Sequence, residues 1–521
     1  METLALPSAG LVFTIVFCFL LRILPRAGVR YYGGDAFYHM FVADVIRKTG
    51  SRARSADYFL IGAVNDYPPV LHYFLALFPE RFVDRYNMAF GPAFDALSAA
   101  AVYAFTRALT ENESAALAAG AIYALTPELQ YEAMSLTPRL LGTLMLNLHF
   151  ASLVFYVQYQ QAVFLAAAAV TGVIDFYTHR IQLPLLFLIS AAFAIAAREP
   201  VIIAVTAAWT AAAFLVNRGL FVRTLKSYYI MTSDNVRNWR EYGTEAMRAR
   251  PGDAVERTGT PAREKPSGGF SLTGAARILA QKGAVYLKYN PYGLAALALI
   301  AFYREISGMI GTAAGLMFLW FLVSYVTFAV TERCGILGQK VGEGYRQYLD
   351  FGAFPCAAFV AAEGAALYNS SRMEWWALFA ACALFAYPGL RTLTILRRTR
   401  SPAAVGEDLL EVLNALKEQP RGNVMCLPPG YSYAALYFSR QPVLEVVERS
   451  VPYRDRIREY YTGLKSPMEE FAGRFDISYV LVNHALNDVR VPGGWGETVA
   501  KRGPFQVIRV PVSGNRQGAG L

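Results

Sequence analysis

The sequence predicts an α-helical polytopic membrane protein with a small soluble α/β domain at its C-terminus. Three observations predict it. Hydrophobic residues make up 55% of the 521 positions and mean hydropathy is +0.30, above the roughly 45–50% apolar content of ordinary soluble domains. These residues gather in blocks of roughly 18 to 22, the length a helix needs to cross a hydrocarbon core of about 30 Å. Beyond residue 400 the long blocks stop, and short amphipathic and β-rich segments replace them. Only helices and closed barrels satisfy their backbone hydrogen bonds in lipid, and continuous apolar blocks exclude the alternating strands of a barrel.

The blocks give about eleven spans, at 8–25, 88–107, 112–126, 138–158, 161–176, 181–197, 200–217, 286–303, 308–330, 347–367 and 373–391. The membrane domain thus covers 1–400 and the soluble domain 401–521. Two connections are long, 26–87 and 218–285, and a third, 331–346, is rich in glycine. Residues 8–25 lack a basic region before them and a small-residue cleavage site after them, so they read as a permanent first span. In the first long loop, Phe37, Met40, Phe41, Ala43 and Val45 give Ala36–Lys48 a helical apolar face. Val70–Phe78 forms a second short apolar helix after Pro68 and Pro69. Both are too short to span and are expected to lie along the membrane surface. In the soluble domain Glu407–Lys417 reads as a helix, Asn423–Leu427 and Tyr479–Val482 as strands, and Gln506–Val510 as an edge strand.

The net charge of +10 suits loops beside anionic headgroups or lipid phosphates. No basic helix, zinc spacing or aromatic binding module points to nucleic acid. The five cysteines are scattered without a Cys-x-x-Cys pair, which indicates neither a disulfide framework nor a zinc site.

The segment richest in chemistry is Gly33-Gly34-Asp35-Ala36-Phe37-Tyr38-His39, just past the first span. A carboxylate in the first turn of a helix is held in its charged form by the helix dipole, and paired glycines let a backbone approach a ligand. An Asp in this place also serves as a helix cap. The residues alone leave both roles open.

Asp35-x-x-Tyr38-His39, then Ala43, Ile46, Thr49-Gly50 and Tyr67-Pro68-Pro69, resembles the first extracytoplasmic loop of the GT-C membrane glycosyltransferases. The likeness is to the catalytic subunits of archaeal oligosaccharyltransferases and related lipid-linked sugar transferases. Span layout, long first loop and C-terminal domain are similar too. The resemblance implies that Asp35 is the catalytic residue, which accepts a proton from the acceptor or helps hold a divalent cation, with Tyr38, His39, Tyr67 and Tyr348 as substrate-binding residues. It implies a donor phosphate met by Arg139, Arg346, Arg333, His179 and Arg180, of which Arg346 lies in Gly344-Tyr345-Arg346-Gln347-Tyr348. Each arginine could equally snorkel at a helix end. Glu128 and Glu132, one helical turn apart, match the place where metal-dependent relatives hold a divalent cation (Mg or Mn) with the first-loop acid; two such carboxylates can also be a solvated face. No other cofactor is indicated. Asp95 and Glu363 lie within spans, where an ionisable group is costly; for Asp95, bonding to a neighbouring helix is expected. One departure stands out: oligosaccharyltransferases carry Trp-Trp-Asp-Tyr-Gly in the soluble domain, whereas here Trp375-Trp376 falls in the last span and the C-terminal domain holds only Trp495.

The resemblance therefore implies an enzyme of the cytoplasmic membrane, moving a sugar from a polyprenyl-phosphate carrier to a lipid-linked glycan, polysaccharide or protein. A whole-oligosaccharide transferase is the nearer alternative and a lipid or glycan transporter the more distant one. Transporters commonly show internal repeats, and no repeated halves are evident. Arg22, Arg26 and Arg30 after the first span, and Arg391, Arg397, Arg398 and Arg400 after the last, favour an outside N-terminus by the positive-inside rule, while the resemblance places the long loops and the C-terminal domain outside. The second orientation is adopted. Cysteines introduced at Ser267 and Ser513 should then react with an impermeant reagent in intact cells, and protection of both would reverse it.

Overall fold

The computed structural model describes residues 8–51, 58–60, 67–229, 290–302, 309, 311–333, 347–371, 375–399, 405–444, 467–485 and 495–511. Each apolar block folds as helix within that range. The first half contains α1 (Ala9–Ile23), α2 (Gly34–Thr49), α3 (Val70–Ala76), α4 (Glu80–Thr110), α5 (Glu113–Leu125), α6 (Pro127–Glu132), α7 (Arg139–Tyr159), α8 (Ala162–Phe176), α9 (Leu183–Ala197), α10 (Val201–Val216) and α11 (Arg218–Tyr229). After these come α12 (Tyr292–Phe302), α13 (Ala313–Arg333), α14 (Gln347–Asp350), α15 (Ala353–Ser371) and α16 (Trp375–Thr399). Among the described residues, Ala9–Arg26, Glu80–Thr110, Arg139–Tyr159, Arg180–Ala197 and Tyr348–Asn369 are long and apolar enough to cross a bilayer; α10 and α11 make a sixth span if that pair, bent by 113°, is one. Glu113–Leu125, Ala162–Phe176 and Ala313–Phe328 are shorter apolar helices.

Local signals set the ends. Asn112 caps α5, its side-chain oxygen accepting from the amides of Ser114 (2.9 Å) and Ala115 (3.1 Å). The helix before it, α4, starts eight residues ahead of the expected span, at Glu80 rather than 88. Nothing in Glu80–Asn87 breaks a helix, so the apolar span continues as a polar extension.

Four residues from three helices are pinned together by a buried ion pair. Asp95 accepts from Arg22 Nε at 2.5 Å, from the Tyr123 hydroxyl at 2.8 Å and from Cys18 Sγ at 3.7 Å, and both charged side chains are fully buried. Arg22 also donates to the Ala124 carbonyl at 2.5 Å. The helix-bonding role expected for Asp95 is what the structure shows. Arg26 donates to the Met88 carbonyl and Arg30 pairs with Asp84 at 2.6 Å. Of the arginines after the first span, Arg22 and Arg26 are thus buried with partners, whereas Arg30 meets Asp84 with most of its side chain exposed. Glu363 is half-buried on α15.

The C-terminal elements are α17 (Glu407–Lys417), β1 (Asn423–Leu427), α18 (Ser432–Ser439), α19 (Met468–Arg474), β2 (Ile477–Asn483), β3 (Glu497–Arg502) and β4 (Phe505–Arg509). The sheet order is β1-β2-β4-β3, with β1 parallel to β2 and the other pairs antiparallel. Met425 lies opposite Val480, and Val480 opposite Ile508, in a buried apolar layer. The expected edge strand is therefore internal: β4 pairs on both sides, with β2 and β3. Strand β3 forms the edge instead. Its sequence ETVAKR is mostly exposed, so it lacked the apolar run that marks a strand.

The single apolar face expected for Ala36–Lys48 is corrected too. Residues 36–46 of α2 are buried on every face, because α3 covers one side and α18 the other. Phe438 of α18 packs against Tyr31 (centroids 5.1 Å apart) and Phe37 (5.2 Å). Buried Asp44 is met by Lys48 at 2.7 Å, Arg440 at 3.0 Å and Arg47 at 3.1 Å, and Arg440 also reaches Glu80 at 2.8 Å. The C-terminal region is bound to the helix by charge as well as by apolar packing.

Removing one partner of a buried pair leaves an uncompensated charge, so Asp95→Ala should cost about 3–5 kcal/mol. The double change Arg22→Met with Asp95→Leu should be far closer to neutral. Thermal unfolding of the two purified variants in detergent distinguishes them.

Candidate active site

The site begins at a joint that only glycine fits. Gly33 has φ +78°, in the left-handed region, and a Cβ there would lie 2.8 Å from Cβ of Ser135. A Cβ on Gly34 would lie 3.3 Å from the Gly430 carbonyl. Two distant parts of the chain, the turn before α7 and the loop after β1, therefore close over the start of α2. Asp35 follows in its first turn.

Tyr38 and His39 stand three and four residues on, one turn up the same helix face. With Asp35 they line a pocket whose other walls are Tyr67, Thr137, Arg139, His179, Ile181 and Tyr433. Six residues singled out from the sequence thus meet in one place: Asp35, Tyr38, His39, Tyr67, Arg139 and His179. Arg139 opens α7 directly after Pro138, while His179 and Ile181 belong to the tight turn between α8 and α9. Tyr433 comes from α18, its ring 5.4 Å from that of Tyr38.

Burial sets the charge of the histidines. It pulls His39 down to about 4, with the Asp35 carboxylate resisting and Arg139 assisting. The His179 pKa is pushed well below the usual range by burial and by the neighbouring Arg139, Arg180 and His39. Both rings are neutral near pH 7. His179, grouped with the cations in the sequence, offers hydrogen bonds rather than charge, and Arg139 is the cation of the pocket lining.

The other expected residues lie elsewhere. Arg180 stands behind Tyr67, its guanidinium 5.0 Å from that ring and its Nη1 donating to the Ser227 hydroxyl at 2.7 Å. Tyr348 is buried on α14 with its ring 6.1 Å from Phe351, outside the pocket lining. Arg333 is the last residue of α13, and Arg346 falls outside the described residues.

Glu128 and Glu132 on α6 are joined by Asp350 of α14. All three are buried, and each brings a carboxylate oxygen within 4.8 Å of the others. The surface pair considered from the sequence is thus an internal group of three. Three oxygen donors suit a hard divalent cation such as Mg or Mn. Arg139 donates to both oxygens of Glu132, at 2.9 and 3.1 Å, and so links this cluster to the pocket.

Sequence reasoning missed Asp350, His72, Thr137, Ile181 and Tyr433. An acid at the start of a span could have flagged Asp350. The remaining four are of common types with no motif around them, and only the fold gathers them.

No protein-family model matches the sequence, and no curated protein matches it. Solved structures do. The apo oligosaccharyltransferase of Archaeoglobus fulgidus aligns with a TM-score of 0.61 at 12% identity, over 92% of this chain and 69% of that one. The archaeal oligosaccharyltransferase AglB from the same organism, in complex with an inhibitory peptide and a dolichol-phosphate, gives 0.56 at 13% identity with the same coverage. ArnT from Cupriavidus metallidurans bound to undecaprenyl phosphate gives 0.58 at 10% identity, over 97% of this chain and 98% of that one. The chain has the fold of the GT-C membrane glycosyltransferases, resembling archaeal oligosaccharyltransferases, as the residues of its first loop led us to expect.

Proposed function

We propose that this protein is a membrane glycosyltransferase that moves a sugar from a polyprenyl-phosphate carrier to a hydroxyl of a lipid-linked glycan, a polysaccharide or a protein, on the extracytoplasmic face. The observation that carries this reading is the pocket itself, which sets a carboxylate, an arginine, two neutral histidines and three tyrosines around one space. The complexes of AglB with dolichol-phosphate and of ArnT with undecaprenyl phosphate support the class of donor.

In this reading the acceptor hydroxyl attacks the anomeric carbon of the donor. The bond between that carbon and the phosphate oxygen breaks, and the phosphate leaves on its lipid. Asp35 takes the hydroxyl proton as general base. Arg139 and the His179 ring stabilise the charge that grows on the departing phosphate. The tyrosine rings exclude water and offer flat faces to the sugar. Glu128, Glu132 and Asp350 would hold a divalent cation, which when bound adds positive charge beside Arg139.

Two outcomes test these roles. Asp35 lies inside the first turn, and the helix is capped by Gly33 without a side-chain hydrogen bond, so Asp35→Asn keeps side-chain size and removes no cap, but cannot accept the proton. Turnover should fall about 10²–10⁴-fold with little change in thermal stability. A folded Asn variant with near-normal transfer would contradict the general-base role. Arg139→Gln should weaken donor use by one to two decades, as a charge-assisted hydrogen bond of roughly 1.5–3 kcal/mol is lost. That change also leaves Glu132 buried without its arginine, so some stability should go as well. Glu132→Gln added to Arg139→Gln should restore stability, and donor use in this double variant is compared with Glu132→Gln alone: a further loss of one to two decades is expected from Arg139, and no further loss would assign Arg139 to the scaffold.

A further inference from the structure

Behind the pocket wall, His39 and His72 share a hydrogen bond. His39 Nδ1 lies 2.9 Å from His72 Nε2, and the residues are 2% and 0% exposed. Only His39 lines the pocket. The pair sits in an aromatic frame: Tyr67 is 5.1 Å from the His39 ring and 5.9 Å from the His72 ring, and Tyr38 is 5.3 and 5.8 Å away. Helix α3, which carries His72, is itself tied to the turn that carries His179, through the Val70 amide and the Tyr177 carbonyl at 3.1 Å.

We propose that His72 is a positioning residue, which fixes His39 as a hydrogen-bond donor toward an anionic phosphate bound beside Asp35 and Arg139. The inference rests on the reading of the pocket given above. A neutral imidazole has one N–H and one bare nitrogen. Between the two rings one nitrogen donates and the other accepts, so the state of His72 selects the tautomer of His39. If His72 Nε2–H donates to His39 Nδ1, the proton of His39 stands on Nε2, the nitrogen left to meet a ligand. The opposite arrangement would present a bare lone pair to a phosphate oxygen. Beside His72, Tyr38 and Tyr67, the groups that act on His39 are Asp35 on its own helix and Arg139 at the start of α7, with His179 in the turn before α9 close enough to feel His39 in turn. The Asp35 carboxylate and a bound phosphate are both anions, so the pocket favours the tautomer that leaves the one free N–H of His39 on Nε2.

Undecaprenyl phosphate is the probe, with its affinity measured for purified protein in detergent. His72→Phe keeps a ring of similar volume and removes the hydrogen bond, and should weaken binding about tenfold. His72→Gln keeps a donor near the Nε2 position and should restore most of the affinity. In a His39→Ala background the Phe change should have no further effect, because a residue acting through another loses its influence once that other is gone. If His72→Phe does not fold, His72→Asn, too short to reach, should show the same loss. Unaltered affinity in these variants, or an equal loss in both backgrounds, overturns the positioning role while the pocket reading stands. Wild-type protein that fails to bind the probe removes the anion site, and this inference with it.

Discussion

The start of α2 is pressed from two sides, and the pocket exists because it can be. On one side Ser135 approaches Gly33 and on the other the carbonyl of Gly430 approaches Gly34, both so closely that a side chain at either position would collide or force its neighbour to move. This double approach fixes where Asp35 points from the helix start. It also makes the site a joint product of three regions that are far apart in sequence: the first loop, the turn before α7 and the loop after β1. Tyr433 enters the pocket by that last route.

Charges hold the same arrangement in register further out. Asp44, buried one helical stretch beyond His39, gathers Arg47, Lys48 and Arg440, so that α2 and the segment after α18 share one ionic knot. Asp95 gathers Arg22, Tyr123 and Cys18 and locks α1, α4 and α5. Buried ions are poor sources of net stability, since desolvation offsets their attraction. Their effect is to forbid alternatives, because any slip of one helix strands a charge. Arg139 extends this logic to the site, with one face on the Glu132 carboxylate and the other toward the pocket.

The helical blocks were legible because lipid demands a length and polarity that few other structures need. Asp35, Tyr38 and His39 were legible because they sit close together in a recognisable loop. Arg139 and His179 emerged as charged or titratable groups at helix ends. What stayed hidden was pairing at long range. Nothing in the pattern around Asp350 announces that it meets Glu128 and Glu132 from more than two hundred positions away, nor does His72 announce His39. The burial of α2 was unreadable for the same reason. Its outer face is covered by α18, some four hundred residues later, and an amphipathic pattern cannot reveal who covers it. Strand β3 escaped because an exposed edge carries no apolar alternation.

The central claim is that the pocket performs sugar transfer from a lipid phosphate. Purified protein incubated with a radiolabelled polyprenyl-phosphate sugar tests it most directly. The account predicts that label leaves the lipid carrier in the presence of wild-type protein. Label that stays on the carrier across a range of acceptors and divalent cations, with a folded protein, would contradict it and favour a transporter on the same scaffold.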